Sequence, residues 1–523
     1  MARHIIQNLV GSQSKYDLAK VSESYTLNMN QETVDENQSY VNKVLRPIPG
    51  CELLVSINGL CRGMYTVSVG FDGKPKTYAV FNDTLYLIDG NNAIVIGNIP
   101  YGSSKIHFTE TGNTSKDGHD FHTHLVFVDG TNCYAVDTQI NPALQTEDFE
   151  SIQLPMRETG NGQMVHPTHI AYAHGYIIIN DENTDRCYLS YQFPFERLNG
   201  NNVDKNIFMY GSAEWGNYGQ SFQSYWQPDN TLAIVSNGTR LFTFGERSYQ
   251  IFQYTADLNV PFNSPDTAAG LIGLKAIDSI CQIGSSIIWF GSSDIGNNGI
   301  YVMGNSTSSV ERVSTPAIER EISKFEIVKD AKAQIWQSNQ HVYYVIDFPS
   351  ANRTFCYDMA EKVWSERCSL NNKNEKVSWR YDNATMSPDG KILHSCSDGI
   401  VIETEDKWNE HDDNPILRLR RGGVIYSDHS PFIINAIEVC TNNGQYSESF
   451  YEKPAKMLMR FTADGSNWSD IEDVSLGYAG QYDEDCVFYN FGMAKVFTIE
   501  LSCSENVPFA LYSIKINSDQ MAY

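Results

Sequence analysis

The densest group of metal-ligating side chains in the sequence lies between residues 117 and 124. It contains two aspartates and three histidines: Asp117, His119, Asp120, His122 and His124. His122 and His124 would share a face if a strand begins there, a geometry that some metal sites use. No second group of spaced ligands accompanies them, and the segment is polar. We therefore favour a solvated loop entering a strand, and predict no resident metal or cofactor.

A short basic cluster, Arg418, Arg420 and Arg421, is the densest positive patch of the chain. On a strand, Arg418 and Arg420 would share one face. The cluster could contact an acidic partner or the phosphates of DNA, or it could be a solvated edge whose charges guard the sheet. We favour the solvated edge.

Two further patterns bear on glycan chemistry. The run from Thr462 to Trp468 resembles the Asp-box hairpin of sialidases but is one residue short. An Asp-Gly turn closed by a tryptophan packs in any hairpin, and a sialidase also needs arginines that converge on a carboxylate, so we favour a purely structural turn. The acid pairs Glu405–Asp406 and Asp412–Asp413 would serve acid–base catalysis only if burial separated their pKa values. In so polar a segment we expect them to be solvated.

The standard catalytic motifs are missing from the sequence. No nucleophile elbow, phosphate-binding loop, zinc-protease motif or dinucleotide fingerprint occurs in a supporting context. We therefore predict a protein that is not an enzyme. A glycan-acting β-propeller enzyme, sialidase-like or lyase-like, is the alternative.

Short strands rich in β-branched and aromatic residues recur through residues 51–405. They form seven hairpins, spaced roughly 40 to 65 residues apart. Their first strands begin near Thr84, His124, Gly175, Leu241, Ile287, His341 and Lys391. This spacing predicts a β-propeller of six or seven degenerate, four-stranded blades without a WD40 signature, with two stacked sandwiches as the alternative.

The rest of the chain divides around this repeat. Residues 1–50 have little periodicity and predict an extended N-terminal arm that lies along another part of the structure. Residues 406–425 change from acidic to basic to glycine and predict a linker. In residues 426–523 apolar and polar positions alternate, which predicts a small antiparallel β-sandwich. The pattern is all-β and predicts almost no helix, and residues 316–331 are a candidate helix.

Composition narrows the possible functions. The 523 residues are 41% hydrophobic, 12% aromatic and 19% charged, so the chain can bury a core. Its net charge of −25 disfavours general nucleic-acid binding. The eleven cysteines form no C-x-x-C pair and are expected to be reduced thiols of a protein made in a cytosol. We recognise neither a signal peptide nor an apolar run of about 18 residues that could span a membrane.

Several short motifs resemble one family in order and spacing. They are Asn28-Met29, Leu45-Arg46 before Pro49-Gly50, Cys61 to Tyr65, Phe244-Gly245 before Ser248 to Phe252, Gly270 to Gly273, Gly299 to Gly304, Thr315 to Glu319 and Thr462 to Gly465. In these motifs the chain resembles the packaged-DNA stabilisation, or tail-hub, proteins of short-tailed bacteriophages. The likeness spans nearly the whole chain.

The resemblance implies a structural virion protein made in the host cytoplasm and placed in the tail. Such a hub or nozzle subunit assembles as a ring, usually of six copies, below the portal and its adaptor ring. It closes and extends the channel after packaging, anchors receptor-binding spikes or fibres, and forms part of the conduit for DNA ejection. The passing double-stranded DNA would not be bound specifically.

Overall fold

Strands dominate the protein. The computed structural model describes residues 2–6, 14–15, 23–34, 43–112, 123–139, 141, 149–157, 163–192, 207–208, 220–257, 259–265, 268–293, 296, 298–304, 309–422, 424–426, 431–446, 450 and 452–520. Within these residues the single α-helix is α1 (Pro316–Ile322). No helix in this part of the chain combines the length and the apolar character that a bilayer crossing requires.

Six strands precede the first complete blade. They are β1 (Ala2–Ile6), β2 (Ser14–Lys15), β3 (Glu23–Leu27), β4 (Met29–Thr33), β5 (Lys43–Pro47) and β6 (Gly50–Ser56).

The described residues then form seven antiparallel sheets, which we number as blades 1 to 7. Blade 1 contains β7 (Cys61–Val67), β8 (Lys76–Phe81), β9 (Thr84–Asp89) and β10 (Asn92–Asn98). Blade 2 contains β11 (His107–Glu110), β12 (His124–Val128), β13 (Cys133–Asp137) and β14 (Phe149–Ile152). Blade 3 contains β15 (Ile170–Ala173), β16 (Tyr176–Asn180), β17 (Arg186–Leu189) and β18 (Gln220–Gln223).

The next blades carry small additions. Blade 4 contains β19 (Ala233–Ser236), β20 (Arg240–Phe244), β21 (Tyr249–Tyr254), β22 (Phe262–Asn263) and β23 (Ala269–Gly270). Blade 5 contains β24 (Ile272–Leu274), β25 (Cys281–Ile283), β26 (Ser286–Ser293), β27 (Asn298–Met303) and β28 (Val310–Arg312). Blade 6 contains β29 (Lys332–Ser338), β30 (His341–Phe348), β31 (Arg353–Asp358) and β32 (Val363–Arg367). A two-stranded hairpin, β33 (Ser369–Leu370) and β34 (Lys376–Val377), separates it from blade 7.

Blade 7 joins the two ends of the propeller. It contains β35 (Ala384–Met386), β36 (Ile392–Cys396), β37 (Gly399–Thr404) and, as its outer strand, β6. The pairing of β6 with β37 requires a glycine at Gly399, whose φ is +140°. A Cβ there would lie 2.0 Å from the carbonyl oxygen of Val55. A strand from before blade 1 therefore closes the ring at a position that only glycine fits.

The propeller core lies between the blades. Seven buried apolar clusters each join two consecutive blades, and the last one joins blade 7 to blade 1 through residues such as Ile400 and Phe81. Inner strands of neighbouring blades contact one another from blade 1 to blade 4 and from blade 5 to blade 7, and β35 of blade 7 contacts β7 of blade 1. Each blade alone leaves apolar faces exposed, so the ring buries them all only when it is complete.

Strands β38 to β45 complete the chain. They are β38 (Arg418–Arg421), β39 (Ile425–Tyr426), β40 (Phe432–Thr441), β41 (Ala455–Thr462), β42 (Glu472–Gly477), β43 (Cys486–Ala494), β44 (Val496–Cys503) and β45 (Leu511–Gln520). One sheet runs β4-β5-β45-β40-β43, with β1 on β45, and the other contains β38-β44-β41-β42. One apolar cluster lies between them, and Met29 and Leu45 of the N-terminal segment belong to it. The sandwich is therefore built from both ends of the chain.

Strand β3 connects the sandwich to the propeller. It pairs antiparallel with β38 and, at Leu27 and Glu366, parallel with β32 of blade 6, so that one sheet continues from the blade into the sandwich. Asn28, which follows β3, is fully buried with a φ of +51°. Its side chain accepts a hydrogen bond from the Cys368 amide (3.0 Å) and donates to the carbonyls of Cys368 (3.0 Å) and Leu417 (2.9 Å).

The all-β propeller expected from the sequence is confirmed, and its described sheets number seven. Each of the seven hairpins predicted from the sequence lies in a different blade. The division into an arm (1–50), a propeller (51–405), a linker (406–425) and a sandwich (426–523) remains a prediction. The pairings of β1, β3, β4, β5 and β38 show that the first and third of these segments contribute strands to the sandwich sheets.

The helix candidate at 316–331 is shorter than expected. It begins at Pro316 after the N-cap Thr315 and ends at Ile322. Phe325 and Val328 beyond it pack into the cluster between blades 5 and 6. Tertiary packing of these side chains replaces the remaining helical turns.

Candidate functional site

The structure places the basic cluster in the interior. The side chains of Arg418 and Arg420 are both fully buried, so the solvated edge favoured from the sequence is wrong for these two residues. Arg418 donates to the backbone carbonyls of Trp408 and Glu505, and Arg420 donates to the hydroxyl of Thr26. Burial lowers the pKa of Arg418 to about 10 and that of Arg420 to about 9. In this structure neither side chain is open to a partner or to DNA.

Arg421 belongs to a compact charged cluster on the sandwich. Its Nη2 lies 2.6 Å from Oε2 of Glu500, and Nε of Arg460 lies 2.6 Å from Oε1 of the same carboxylate. Both guanidinium groups lie about 5 Å from the Trp468 ring, at 4.8 and 5.0 Å from its centroid. Burial alone would raise the pKa of Glu500, but the hydrogen bond from Arg460 and the charge of Arg421 outweigh it and lower that pKa.

The Asp-box-like run is a hairpin turn between β41 and β42. Oδ1 of Asp464 accepts hydrogen bonds from the amides of Ser466 and Asn467, both at 2.8 Å. These two bonds are the main reason that the pKa of Asp464 lies well below its usual value. Gly465 adopts a φ of +77°, and Thr462 forms a bridge with Trp468. The run therefore forms a structural turn, which is the interpretation favoured from the sequence over a sialidase Asp-box.

Of the histidine-rich group, only His124 is among the described residues. Asp117, His119, Asp120 and His122 lie outside them. His124 begins β12, is buried, and its Nε2 lies 4.0 Å from Oδ2 of Asp137. The preference for a solvated loop over a metal site at 117–124 stays a prediction.

The propeller axis gathers side chains from four blades. His107 of blade 2 lies 3.2 Å from the Asp278 carboxylate of blade 5, and its ring centroid lies 3.8 Å from that of His169 at the start of blade 3. Nζ of Lys105 donates to the carbonyl of Ala333 in blade 6 at 2.9 Å. These contacts cross the ring, so the described part of the axis is bridged by bonded side chains.

The electrostatics of the axis follow from its burial. Burial lowers the pKa of His107, and it lowers that of His169 well below its usual value, with a further contribution from the charge of His107. Burial alone would raise the pKa of Asp278, but the hydrogen bond from His107 and the charge of Lys105 hold it well below its usual range. One buried carboxylate is thus stabilised as an anion beside two imidazoles whose protonation is disfavoured by burial.

A cleft of about 1050 Å³ lies between blade 6, blade 7 and the β4–β5 hairpin. Trp336 and Trp379 in its wall pack against each other, with ring centroids 5.9 Å apart, and both are buried. At the rim, Nε of Arg46 lies 2.5 Å from the carboxylate of Glu32. The cleft therefore presents mainly polar rim groups, while its tryptophans stabilise the junction of the two blades.

The acid pair Asp412 and Asp413 is held by ion pairs in the segment that leaves blade 7, whereas Glu405 and Asp406 are exposed, as expected from the sequence. Asp412 accepts from Nη1 of Arg380 at 2.7 Å, and Asp413 lies 2.7 Å from Nζ of Lys407. Burial alone would raise the pKa of Asp412, but the hydrogen bond from Arg380 lowers it below its usual value. These carboxylates therefore form ion pairs and are not poised as a catalytic acid and base.

The same segment brings together three metal-ligating residues that sequence reasoning missed: Cys396, Asp398 and His411. The sequence spacing of these residues matches no familiar motif, and only the path of residues 405–417 across blade 7 places them together. All eleven cysteines are free thiols, as expected from the sequence, and nine of them are buried.

The fold defines an all-β protein of the β-propeller class. Residues 9–398 match the family model described as Bacteriophage P22 Gp10, beta-propeller. The chain belongs to this family of phage structural proteins, and the family resemblance of the short sequence motifs is thereby confirmed.

Solved structures give weaker likenesses. A streptogramin B lyase is 13% identical, with a TM-score of 0.35 over 72% of this chain and 98% of the lyase. The WD40 propeller domain of Doa1 is 10% identical, with a TM-score of 0.36 over 68% of this chain and 96% of that domain. Hydrazine synthase of Kuenenia stuttgartiensis is 10% identical, with a TM-score of 0.35 over 71% of this chain and 99% of the synthase chain. These scores carry no functional argument, and no curated protein matches the chain.

Proposed function

We propose that this protein is a tail-hub, or nozzle, subunit of the virion of a short-tailed bacteriophage. In this proposal it closes and extends the portal channel after DNA packaging, and it forms part of the conduit through which DNA leaves. The observation that carries the proposal is the family match over residues 9–398.

The proposal implies a defined set of partners. Copies of the chain form a ring, which we take to be a hexamer. The ring binds the portal or its adaptor on one side and anchors spikes or fibres on the other. The site of action is the virion tail, and the protein is made in the host cytoplasm.

The shared sheet between the propeller and the sandwich suits a subunit that must withstand mechanical force. The sheet that continues from blade 6 through β3 into the sandwich makes the propeller and the sandwich share backbone hydrogen bonds. A joint of this kind resists relative movement better than a flexible linker does. A ring subunit that is exposed to the pressure of packaged DNA needs that resistance.

The net charge supports the conduit part of the proposal. With a charge of −25, the subunit repels the phosphates of DNA, so that DNA passes without sticking to the wall. This requires the acidic residues to face the channel. A ring whose acidic residues all face outwards would remove the argument.

We do not propose the glycan-acting alternative. A sialidase-like site needs arginines that converge on a carboxylate. The described axis instead gathers one carboxylate, two imidazoles and a lysine, which contact one another and the backbone. Arg421 and Arg460 do converge on a carboxylate, but it is that of Glu500 in the sandwich.

Deletion of the gene from the phage genome tests the proposed role. The deletion should give heads that package DNA and then lose it, and purified wild-type protein added to freshly filled heads should restore DNA retention. A deletion strain that yields filled, infectious particles in normal numbers would contradict the proposal. Deletion of a non-structural phage gene, which leaves filled heads intact, is the control for handling losses.

A further inference from the structure

Three side chains of different ligand chemistry converge where residues 405–417 cross blade 7. Sγ of Cys396, at the end of β36, lies 3.9 Å from Nε2 of His411. Oδ2 of Asp398, in the turn before β37, lies 3.0 Å from the same nitrogen. The three ligand atoms all lie within 4.8 Å of one another.

The orientation of the imidazole excludes a catalytic triad. In a Cys-His-Asp triad the thiol and the carboxylate contact opposite ring nitrogens. Here both face Nε2, and Nδ1 of His411 lies 3.3 Å from the hydroxyl of Tyr381. A thiol, a carboxylate and one ring nitrogen that surround a common point are instead arranged as metal ligands.

The distances suit a zinc ion. Tetrahedral Zn²⁺ with ordinary bond lengths places its nitrogen and oxygen ligands about 3.4 Å apart, and its sulfur and nitrogen ligands about 3.6 Å apart. The observed separations of 3.0 and 3.9 Å each differ from these by about 0.4 Å or less. A mixed set of sulfur, nitrogen and oxygen ligands also favours zinc over calcium or magnesium, which prefer oxygen alone.

The surrounding charges favour a cation. Arg380 is the cation that contacts the neighbouring carboxylates, at 3.1 Å from Asp398, 3.1 Å from Glu410 and 2.7 Å from Asp412. Three carboxylates around one guanidinium leave a net charge of −2, and the Cys396 thiolate that forms on metal binding makes it −3, so a divalent ion offsets most of this excess. The side chains of Cys396 and His411 are buried, whereas that of Asp398 is 46% exposed and provides a route for the ion.

We propose that Cys396, Asp398 and His411 bind a Zn²⁺ ion through three protein ligands, with water as the fourth ligand. On binding, the thiol releases its proton to solvent, and the imidazole proton moves from Nε2 to Nδ1, where it donates to the Tyr381 oxygen. The ion then fixes residues 405–417, the connection from blade 7 to the sandwich, onto the turn between β36 and β37. This role is independent of the proposed place in the virion.

Metal binding by the purified full-length chain tests the proposal. After treatment with EDTA and dialysis, added Zn²⁺ should bind at one ion per chain and raise the melting temperature. Co²⁺ should give a thiolate-to-cobalt absorption band. That band should vanish in Cys396→Ser and persist in the control Cys440→Ser, a half-buried cysteine of the sandwich.

The ligand variants decide between this site and other sites. Asp398→Asn and His411→Gln should bind Zn²⁺ at least about tenfold more weakly, as should Tyr381→Phe through the loss of the proton acceptor. Because Asp398 is half exposed, Asp398→Asn should fold even if Cys396→Ser does not. No thiolate band in the wild type, or unchanged binding in Asp398→Asn, would overturn the proposal. Binding lost only when His119, His122 and His124 are replaced would place the ion in the histidine-rich segment instead.

Discussion

Glu500 is the residue on which the charged cluster of the sandwich depends. Its buried carboxylate accepts hydrogen bonds from both Arg421 and Arg460. Glu500→Gln removes the charge that both guanidinium groups contact. We expect the free energy of unfolding to fall by about 1.5–3 kcal/mol, as is usual for a hydrogen bond to a charged group.

Urea titration of the purified protein measures this loss. The matched control is Glu438→Gln, which breaks the more exposed pair with Lys515 and should cost less than about 1 kcal/mol. Equal losses in the two variants would contradict the role assigned to Glu500.

The histidines at the propeller axis predict a pH dependence. Burial holds the pKa of His107 and His169 below 6.5 in the folded chain. The unfolded chain therefore binds more protons as the pH falls below about 6.5. The contribution of the two buried histidines to the free energy of unfolding is therefore fully present above about pH 6.5 and decreases below it.

Urea midpoints at about pH 7.5 and about pH 5.5 reveal the effect. His169→Gln should lose less stability between the two pH values than the wild type does. His166→Gln, a change at an exposed histidine nearby, should behave like the wild type. The same loss in all three proteins would show that other groups cause it.

At the scale of single elements, ring closure depends on Gly399. Gly390→Ala places an alanine in the left-handed region at φ +78°, which costs about 1–2 kcal/mol, and Gly399→Ala places one at φ +140°, which is at least as unfavourable. No atom lies within 4 Å of the Cβ position at Gly390, whereas Val55 O is 2.0 Å away at Gly399. Gly399→Ala should therefore destabilise the protein by about 1–3 kcal/mol more than its control, as measured by chemical denaturation. Equal effects would mean that β6 does not close the ring tightly.

The blades were predictable from the sequence because each hairpin carries its own signal. Apolar strands that end at turn dipeptides such as Asp129-Gly130 report local structure, and every such hairpin lies in its own blade. The sequence left the number of blades open between six and seven. The outer strand of blade 7 comes from Gly50–Ser56, which is far in sequence from its partner β37.

The burial of Arg418 and Arg420 was not predictable for a related reason. Alternating arginines predict a solvent-exposed edge strand when the strands that pair with it are unknown. Here β38 lies between β3 and β44, and β3 comes from a segment with little periodicity. The Cys396, Asp398 and His411 cluster is equally dependent on tertiary structure, since a loop brings the histidine to a turn of blade 7.

At the scale of the whole molecule, Asn28 couples the propeller to the sandwich. Its side chain bonds Cys368 beyond blade 6 and Leu417 before β38. Asn28→Ala leaves these buried backbone groups unsatisfied, at about 1–3 kcal/mol each. We expect the single thermal unfolding transition of the wild type to separate into two in this variant.

Differential scanning calorimetry distinguishes this outcome. Asn339→Ala, which replaces an exposed asparagine with a φ of +48°, is the control for backbone strain alone and should keep one transition. A single transition in Asn28→Ala, merely shifted in temperature, would show that other contacts couple the two parts.

Cryo-electron microscopy of the intact virion tests the central claim most directly. The account predicts a ring of seven-bladed propellers, traceable as this chain, directly below the portal and its adaptor. Density for the chain only in the capsid shell, or virions that lack the chain, would contradict it.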